Sequence, residues 1–264
     1  MFKVEIGVVV PTYNSGKTLE WTLLSLSGQE GCYTKVIVVD SGSYDETIEI
    51  CRRHKVHNEF DLPGNMYRAI NAGMRLLNTE WVTYLNSDDI VYRDSYSRLI
   101  AIGNRTGADV VYGHSDYIDW NGRFMFSFKA PHPLLLMGII HTGLLPFAQP
   151  AAIFRKVIYE DLKGFTEKYR SIADFDFFAR AILTGKKIER LSFPSVTAFR
   201  IHPNQFSRRE RDIVQTETSL FFKGFKTHNK LLGGLSLNIW RFLNAKHYVI
   251  RMLRNGQFRS HAIM

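Results

Sequence analysis

The stretch Trp81 to Asp89, WVTYLNSDD, combines an apolar, β-branched and aromatic run with an abrupt stop at Asn86, Ser87, Asp88 and Asp89. That pattern predicts a buried strand delivering two carboxylates to its C-terminal end. Open α/β sheets bind ligands at this edge. Adjacent carboxylates repel each other and are costly to gather without a cation between them, so a hard divalent ion with oxygen ligands is the chemistry the pair suits. Taken alone, Asp-Asp after a strand is more often a solvated turn or a helix cap. Two other places could do chemistry. Asp174 and Asp176 lie near the start of a predicted helix over Ser171 to Ile182, where carboxylates also simply suit the helix dipole. Arg200-Ile201-His202-Pro203 closes a strand predicted from Phe193 to Phe199.

The elements that must position these groups follow from periodicity. Val4 to Val10 is a near-continuous apolar run ending in the turn Pro11-Thr12-Tyr13-Asn14-Ser15-Gly16, and Leu19, Leu23, Leu24 and Leu26 then fit one helical face. The plan repeats with a strand over Lys35 to Val39, the turn Asp40-Ser41-Gly42-Ser43, and a helix from about Asp45 through Cys51. Ser43 and Glu46 have capping-box spacing at its start. Two successive strand–turn–helix units imply a parallel sheet with right-handed crossovers. A third strand is predicted at Val56 to Phe60, a break at Leu62-Pro63-Gly64, and a helix carrying the stripe Met66, Ile70, Gly73, Met74 and Leu77.

Asp94 to Ile102 reads as helix, Asp109 to Tyr112 as strand, and Asp119-Trp120-Asn121-Gly122 as a hairpin turn. The change from alternating units to antiparallel pairs commonly marks where a nucleotide half gives way to a substrate half. Leu134 to Ala148 is the most apolar segment, too short to span a bilayer, and is read as core or as a wall over the site, with membrane dipping the lesser reading. Ala151 to Phe154 is a short strand. Tail helices are expected over about Ile213 to Thr227 and Leu232 to Arg254. Leu232, Leu235, Ile239, Leu243, Ile250 and Leu253 form a stripe interrupted by Lys246, a face that more often packs on the parent domain than on lipid.

At 264 residues the chain can bury a full core. Cys32 and Cys51 offer no disulfide framework, which favours a reducing compartment, and Met1 leads straight into a strand without a signal peptide. The net charge of +9 is unevenly placed: from Arg208 onward there are 11 Lys and Arg against 3 Asp and Glu, and before it 23 against 22. A basic tail suits an anionic surface such as a phospholipid leaflet, unless it is a merely solvated helix face. No recognisable nucleic-acid reading module accompanies it. No G-x-G-x-x-G follows either opening strand, which disfavours a nicotinamide-dependent enzyme.

The blocks VVVPTYNSGKTLEWTLLSL, VIVVDSGSYDETIEI, INAGMRLLNTEWVTYLNSDD, FAQPAAIFRK, ADFDFFARAI and FRIHPNQFS, in this order over roughly Lys3 to Ser207, resemble the family 2 glycosyltransferases. The resemblance implies an α/β GT-A fold: a Rossmann-like nucleotide-binding half with a mixed, mainly parallel central sheet flanked by helices. Residues 1–207 would form that domain, with 1–110 its nucleotide-sugar half and 111–207 its acceptor half, and 208–264 a basic helical extension. It implies that Pro11, Thr12, Tyr13 and Asn14 lie against the base of a nucleotide-sugar donor, and that Asp40, with Ser43 in its turn, hydrogen-bonds the base or its ribose. Asn86, Ser87, Asp88 and Asp89 match the family's D-x-D-type site, where Mg2+ or Mn2+ bridges carboxylate and diphosphate. Asn86 at the first acidic position keeps an acceptor but loses a charge. Asp88 or Asp89 would contact the metal, His202 of the R-x-H element the metal or the diphosphate, and Arg68 would lie near the phosphates. Asp174 matches the general base of the E-D-x-D motif; Ala173 replaces its Glu, and Asp176 would be a supporting residue.

The activity implied is that of a metal-dependent, inverting, hexosyltransferase-like enzyme acting on a glycan or lipid-linked acceptor in cell-surface polysaccharide or glycolipid synthesis. Its expected location is the cytoplasm, peripherally at the inner face of the membrane. The alternative, favoured by Asn86 and Ala173, is a scaffold that keeps the fold and donor pocket without catalysis.

Overall fold

The computed structural model describes residues 4–201, 211–225 and 228–249. The opening strand–turn–helix plan runs through β1 (Val4–Thr12), α1 (Leu19–Ser27), β2 (Cys32–Asp40), α2 (Thr47–His54), β3 (His57–Phe60), α3 (Met66–Leu76) and β4 (Trp81–Tyr84). The chain continues with β5 (Ile90–Val91), α4 (Ser95–Thr106), β6 (Val110–Tyr112), and the hairpin of β7 (Ser115–Ile118) and β8 (Phe124–Phe128). Then come α5 (Leu136–Ile139), β9 (Ala152–Arg155), α6 (Lys156–Asp161), α7 (Ala173–Leu183), β10 (Ile188–Arg190) and β11 (Thr197–Arg200). The tail contributes α8 (Arg211–Gly224) and α9 (Lys230–Leu243).

One sheet has the order β10-β6-β9-β4-β1-β2-β3 and a second the order β5-β11-β7-β8. In the first, β1 runs parallel to both β2 and β4, whereas β9 is antiparallel to β4 and β6. The expected mixed, mainly parallel sheet flanked by helices is therefore present. A central parallel strand is covered on both faces, and β1 shows it: Val8 and Val10 join Leu19, Leu23 and Leu99 on one side, while Val9 joins Ile70 and Met74 on the other. Gly73 lets α3 lie close on β1, because a Cβ there would stand 2.7 Å from Val9 Cγ1.

Several elements depart from the sequence expectation. β5 and β10 are too short to show a period, and β11 starts only at Thr197, since Pro194 cannot join a ladder. Leu24 of α1 is exposed although its neighbours on the expected face are buried. The apolar segment after Leu134 is core: Leu136, Ile139, Ile140 and Phe147 are buried. The stripe Leu232, Leu235, Ile239 and Leu243 does not pack on the body. It faces out, and Gly233, Ser236 and Trp240 pack instead. The small pair lets α9 approach α5 and His141 closely, and the Trp240 indole donates to the Lys129 carbonyl at 2.9 Å, a bond that an aliphatic face could not make. The described part of the tail is thus docked on the domain. Its expected continuation from 250 to 264 lies outside the described residues.

Because the Gly73 site is closed by Val9 and Val39, Gly73→Val should cost about 1–3 kcal/mol of stability through overpacking. Urea melts would read this as a lowered midpoint with an unchanged slope; an unchanged midpoint would mean that α3 can lift from β1 freely.

Candidate functional site

The C-terminal ends of β1, β2 and β4 open onto one edge of the sheet, and the loops leaving them are tied together. The register pairs Thr12 with Asp40. The Asp40 carboxylate, 3 % exposed, accepts from Thr12 Oγ1 at 3.0 Å and Ser43 Oγ at 2.5 Å on one oxygen, and from the Gly42 and Ser43 amides at 2.9 and 2.8 Å on the other. A carboxylate has about four lone-pair positions, and these four bonds fill them. Asp40, expected to read a base or ribose, here fixes the two loops. Ser43 does the same work from the other side: its hydroxyl accepts from the Asn14 amide at 2.8 Å. No capping box forms with Glu46, because the Ser43 hydroxyl is spent on Asp40.

Pro11 and Thr12 belong to β1 itself. Tyr13 projects from its end, 57 % exposed, followed by Asn14 in the left-handed region at φ 50°, a conformation Asn tolerates. The Asn14 side chain accepts from the Tyr44 amide at 3.0 Å. Ser15 then reaches across the edge, its hydroxyl 2.7 Å from that of Ser87. The first and third loops are therefore joined directly. Tyr13 and the half-buried Asn86, Ser87 and Asp88 border the same edge.

The two carboxylates after β4 behave differently. Asp89 is wholly buried; its oxygens accept from the Arg200 amide at 2.9 Å and Asn86 Nδ2 at 3.2 Å. Burial, with the neighbouring Asp88, pushes its carboxyl well above the usual range. Asp89, expected as a metal ligand, is an internal brace. Asp88 is half-buried beside it. Arg200 is 1 % exposed and donates to the carbonyls of Asp88, Asp119 and Trp120 at 2.9, 3.3 and 2.8 Å, fastening the Asp88 loop to the β7–β8 turn. Its partner in the R-x-H element, His202, lies outside the described residues. Arg68 is paired with Asp61 at 2.9 Å and bonded to the Leu62 carbonyl, so its charge is held on the loop after β3.

Asp174 sits in the first turn of α7, half-buried, its Oδ1 accepting from Tyr67 OH at 3.0 Å and from the Phe175 amide at 2.8 Å. Burial raises its carboxyl above the ordinary 3.8, against the pull of those bonds. Asp176 is bound to Arg180 at 2.8 Å, a structural pair. Ala173 is fully buried. Glu217 of α8, 8 % exposed, accepts from the Arg170 amide at 2.7 Å, the Ser171 amide at 3.0 Å and Ser171 Oγ at 2.6 Å. It thereby holds the loop leading into Asp174. Nothing in the sequence links Glu217 to that loop.

Two polar atoms are left over at the end of β4. Gln149 donates to the Tyr84 carbonyl at 2.9 Å, but its Oε1 is buried without a protein partner, as is Asn86 Oδ1. Buried acceptors are normally satisfied, so this edge suits a ligand that brings hydrogen-bond donors or a cation. Gln149 had a sequence signal, its place in FAQPAAIFRK, but no assigned role. Among the described residues no three His, Cys, Asp or Glu side chains are grouped as a metal cage. A magnesium-like ion needs only one or two protein carboxylates when phosphates complete its shell, and the Asp88 carboxylate with the orphan Asn86 oxygen fits that smaller set.

A family model described as glycosyl transferase family 2 matches residues 7–163. The PGL/p-HBAD biosynthesis glycosyltransferase of Mycobacterium bovis (strain BCG / Pasteur 1173P2) is 27% identical over 80% of this chain and 81% of its own length. The poly(ribitol-phosphate) beta-N-acetylglucosaminyltransferase TarS of Staphylococcus aureus (strain Mu50 / ATCC 700699) is 28% identical over 72% of this chain, which spans 34% of TarS. The crystal structure of TarS 1–349 in complex with UDP-GlcNAc superposes with a TM-score of 0.62 at 26% identity, over 76% of this chain and 60% of that one.

Removing the Asp40 carboxylate strands the donors of Thr12, Gly42 and Ser43. Asp40→Ala should therefore lose roughly 1–3 kcal/mol in chemical denaturation; an unaltered midpoint would show that the loops hold without it. Asp174 gives the opposite sign. Its folded carboxyl lies above 3.8, so the stability it contributes is full below that value and is lost as pH rises through the folded one. Asp174→Asn keeps the Oδ1 acceptor without the charge. Thermal melts should place it level with the parent in strong acid and at or above it at neutral pH, and a less stable variant at neutral pH would contradict burial as the cause.

Proposed function

The chain belongs to glycosyl transferase family 2, and from that membership we propose that it moves a sugar from a nucleoside diphosphate donor to an acceptor hydroxyl with inversion. The observation that carries the reading is the joined edge of β1, β2 and β4, where Ser15 and Ser87 bring the Tyr13 loop and the Asn86–Asp88 loop to one cradle. The base lies against Tyr13 and Asn14 above the turn that Asp40 fixes. The diphosphate lies over Asn86, Ser87 and Asp88. A uridine diphosphate sugar is the first donor to test, since TarS, whose fold this chain shares, is described with UDP-GlcNAc bound. The acceptor is a glycan or glycolipid of the cell surface; the relatives are named for PGL/p-HBAD biosynthesis and for poly(ribitol-phosphate).

Each part of the reaction falls to named groups of this chain. Asp174 takes the proton of the acceptor hydroxyl as its oxygen bonds to the anomeric carbon; the bond to the diphosphate breaks on the opposite face, and the nucleoside diphosphate departs with the electron pair. A base raised by burial is better matched to that task near neutral pH. Tyr67 and the Phe175 amide orient the carboxylate. Glu217 fixes the loop that delivers it. Asp88 and the Asn86 amide oxygen would hold Mg2+ or Mn2+ against the diphosphate, and the ion would offset charge developing on the leaving group. Gln149 Oε1 accepts from a donor-sugar hydroxyl.

A panel of nucleotide sugars with isolated cell-surface glycans or glycolipids tests this. Parent protein should release nucleoside diphosphate, and donor-induced thermal stabilisation should fall with chelator and return with Mg2+ or Mn2+. Asp174→Asn should lower turnover about 10²–10⁴-fold with donor stabilisation nearly intact. Loss of donor binding instead would move Asp174 into the donor pocket, and binding without turnover by the parent would favour the non-catalytic scaffold.

A further inference from the structure

The tail helix α9 is apolar on two opposite faces, which a helix docked by one side on a soluble domain does not need. Its inner face packs on α5 and the turn at His141 through Gly233, Ser236 and Trp240. Its outer face carries Leu231, Leu235, Ile239 and Phe242, which are 87, 60, 40 and 80 % exposed. The spacing of these four repeats the helical turn, so they form one stripe along the helix. Contiguous exposed apolar patches on soluble proteins mark interaction sites.

The charge around the stripe selects the occupant. Lys230 and Arg241 are exposed on the same helix and Lys246 just after it, and the chain beyond continues with Arg251, Arg254 and Arg259 against no acidic residue. A second copy of this chain would bring two such tails together and set like charges face to face. An anionic leaflet answers both features, taking the apolar stripe below its headgroups and pairing the cations with phosphates. Among the described residues no helix is long and apolar enough to cross a membrane, so the helix would lie on the leaflet. We propose that the outer face of α9 docks this protein on an anionic phospholipid surface, with Leu231, Leu235, Ile239 and Phe242 inserted and Lys230 and Arg241 at the headgroups. The docking stands apart from the donor chemistry. It would hold the acceptor half, through α5 and the segment leading to Gln149, beside the surface where a lipid-linked acceptor resides.

The test is flotation of the full chain with vesicles of phosphatidylcholine alone or mixed with phosphatidylglycerol. Binding should be about tenfold tighter to the anionic vesicles, and Leu235→Glu with Phe242→Glu should weaken it by about tenfold or more. Circular dichroism and donor-induced thermal stabilisation of that variant should match the parent, which separates a docking failure from a failure of the donor site. If the double variant misfolds, Lys230→Glu with Arg241→Glu, both on exposed positions, carries the test and should lose anionic selectivity. Unchanged flotation by either variant pair overturns the proposal. So does a parent that sediments as a dimer which Leu235→Glu and Phe242→Glu return to monomer, since the occupant is then a second copy.

Discussion

The bond between Ser15 and Ser87, with the Asp40 carboxylate behind it, is the constraint on which the rest of the site depends. A parallel sheet ends its strands with loops whose amides have no ladder to join, and every buried amide must find an acceptor. Asp40 meets four donors of the first two loops at once. The two serines then bring in the loop after β4. With those loops tied together, Tyr13, Asn86, Ser87 and Asp88 border one edge of the sheet.

The geometry of Asp174 comes from elements far apart in the chain. Tyr67 arrives from α3, the Phe175 amide from the first turn of α7, and Glu217 from the tail. The tail is therefore part of the working domain as well as the carrier of its charge. Glu217 accepts from backbone amides and from Ser171, bonds strengthened by its charge, and its removal would take three hydrogen bonds from the loop before Asp174.

The strand–turn–helix order, the three loops and the place of Asp174 in a first helical turn were legible in the sequence because they are local: each is a run, a turn or a period within about twenty residues. What was illegible was which partner each polar group would choose. Asp88 and Asp89 look alike in sequence, yet Asp89 points inward to the Arg200 amide, which is distant in the chain. Ser43 has capping-box spacing but meets Asp40 first. Arg68 has Asp61 within reach. In α9 the periodicity was right and the side was wrong, because close packing of Gly233 and Ser236 and the hydrogen bond of Trp240 outweighed the larger aliphatic stripe. The role of Glu217 left no trace at all in the spacing.

The central claim is that these stitched loops form the donor site. A crystal structure of the full chain soaked with uridine diphosphate tests it most directly. The account predicts the base against Tyr13 and the diphosphate over Asn86, Ser87 and Asp88, with the Asn86 oxygen no longer orphaned. Nucleotide bound instead at the opposite end of the sheet, in the groove bordered by Leu26, Cys32 and His54, with the edge of β1 and β4 empty, would contradict it.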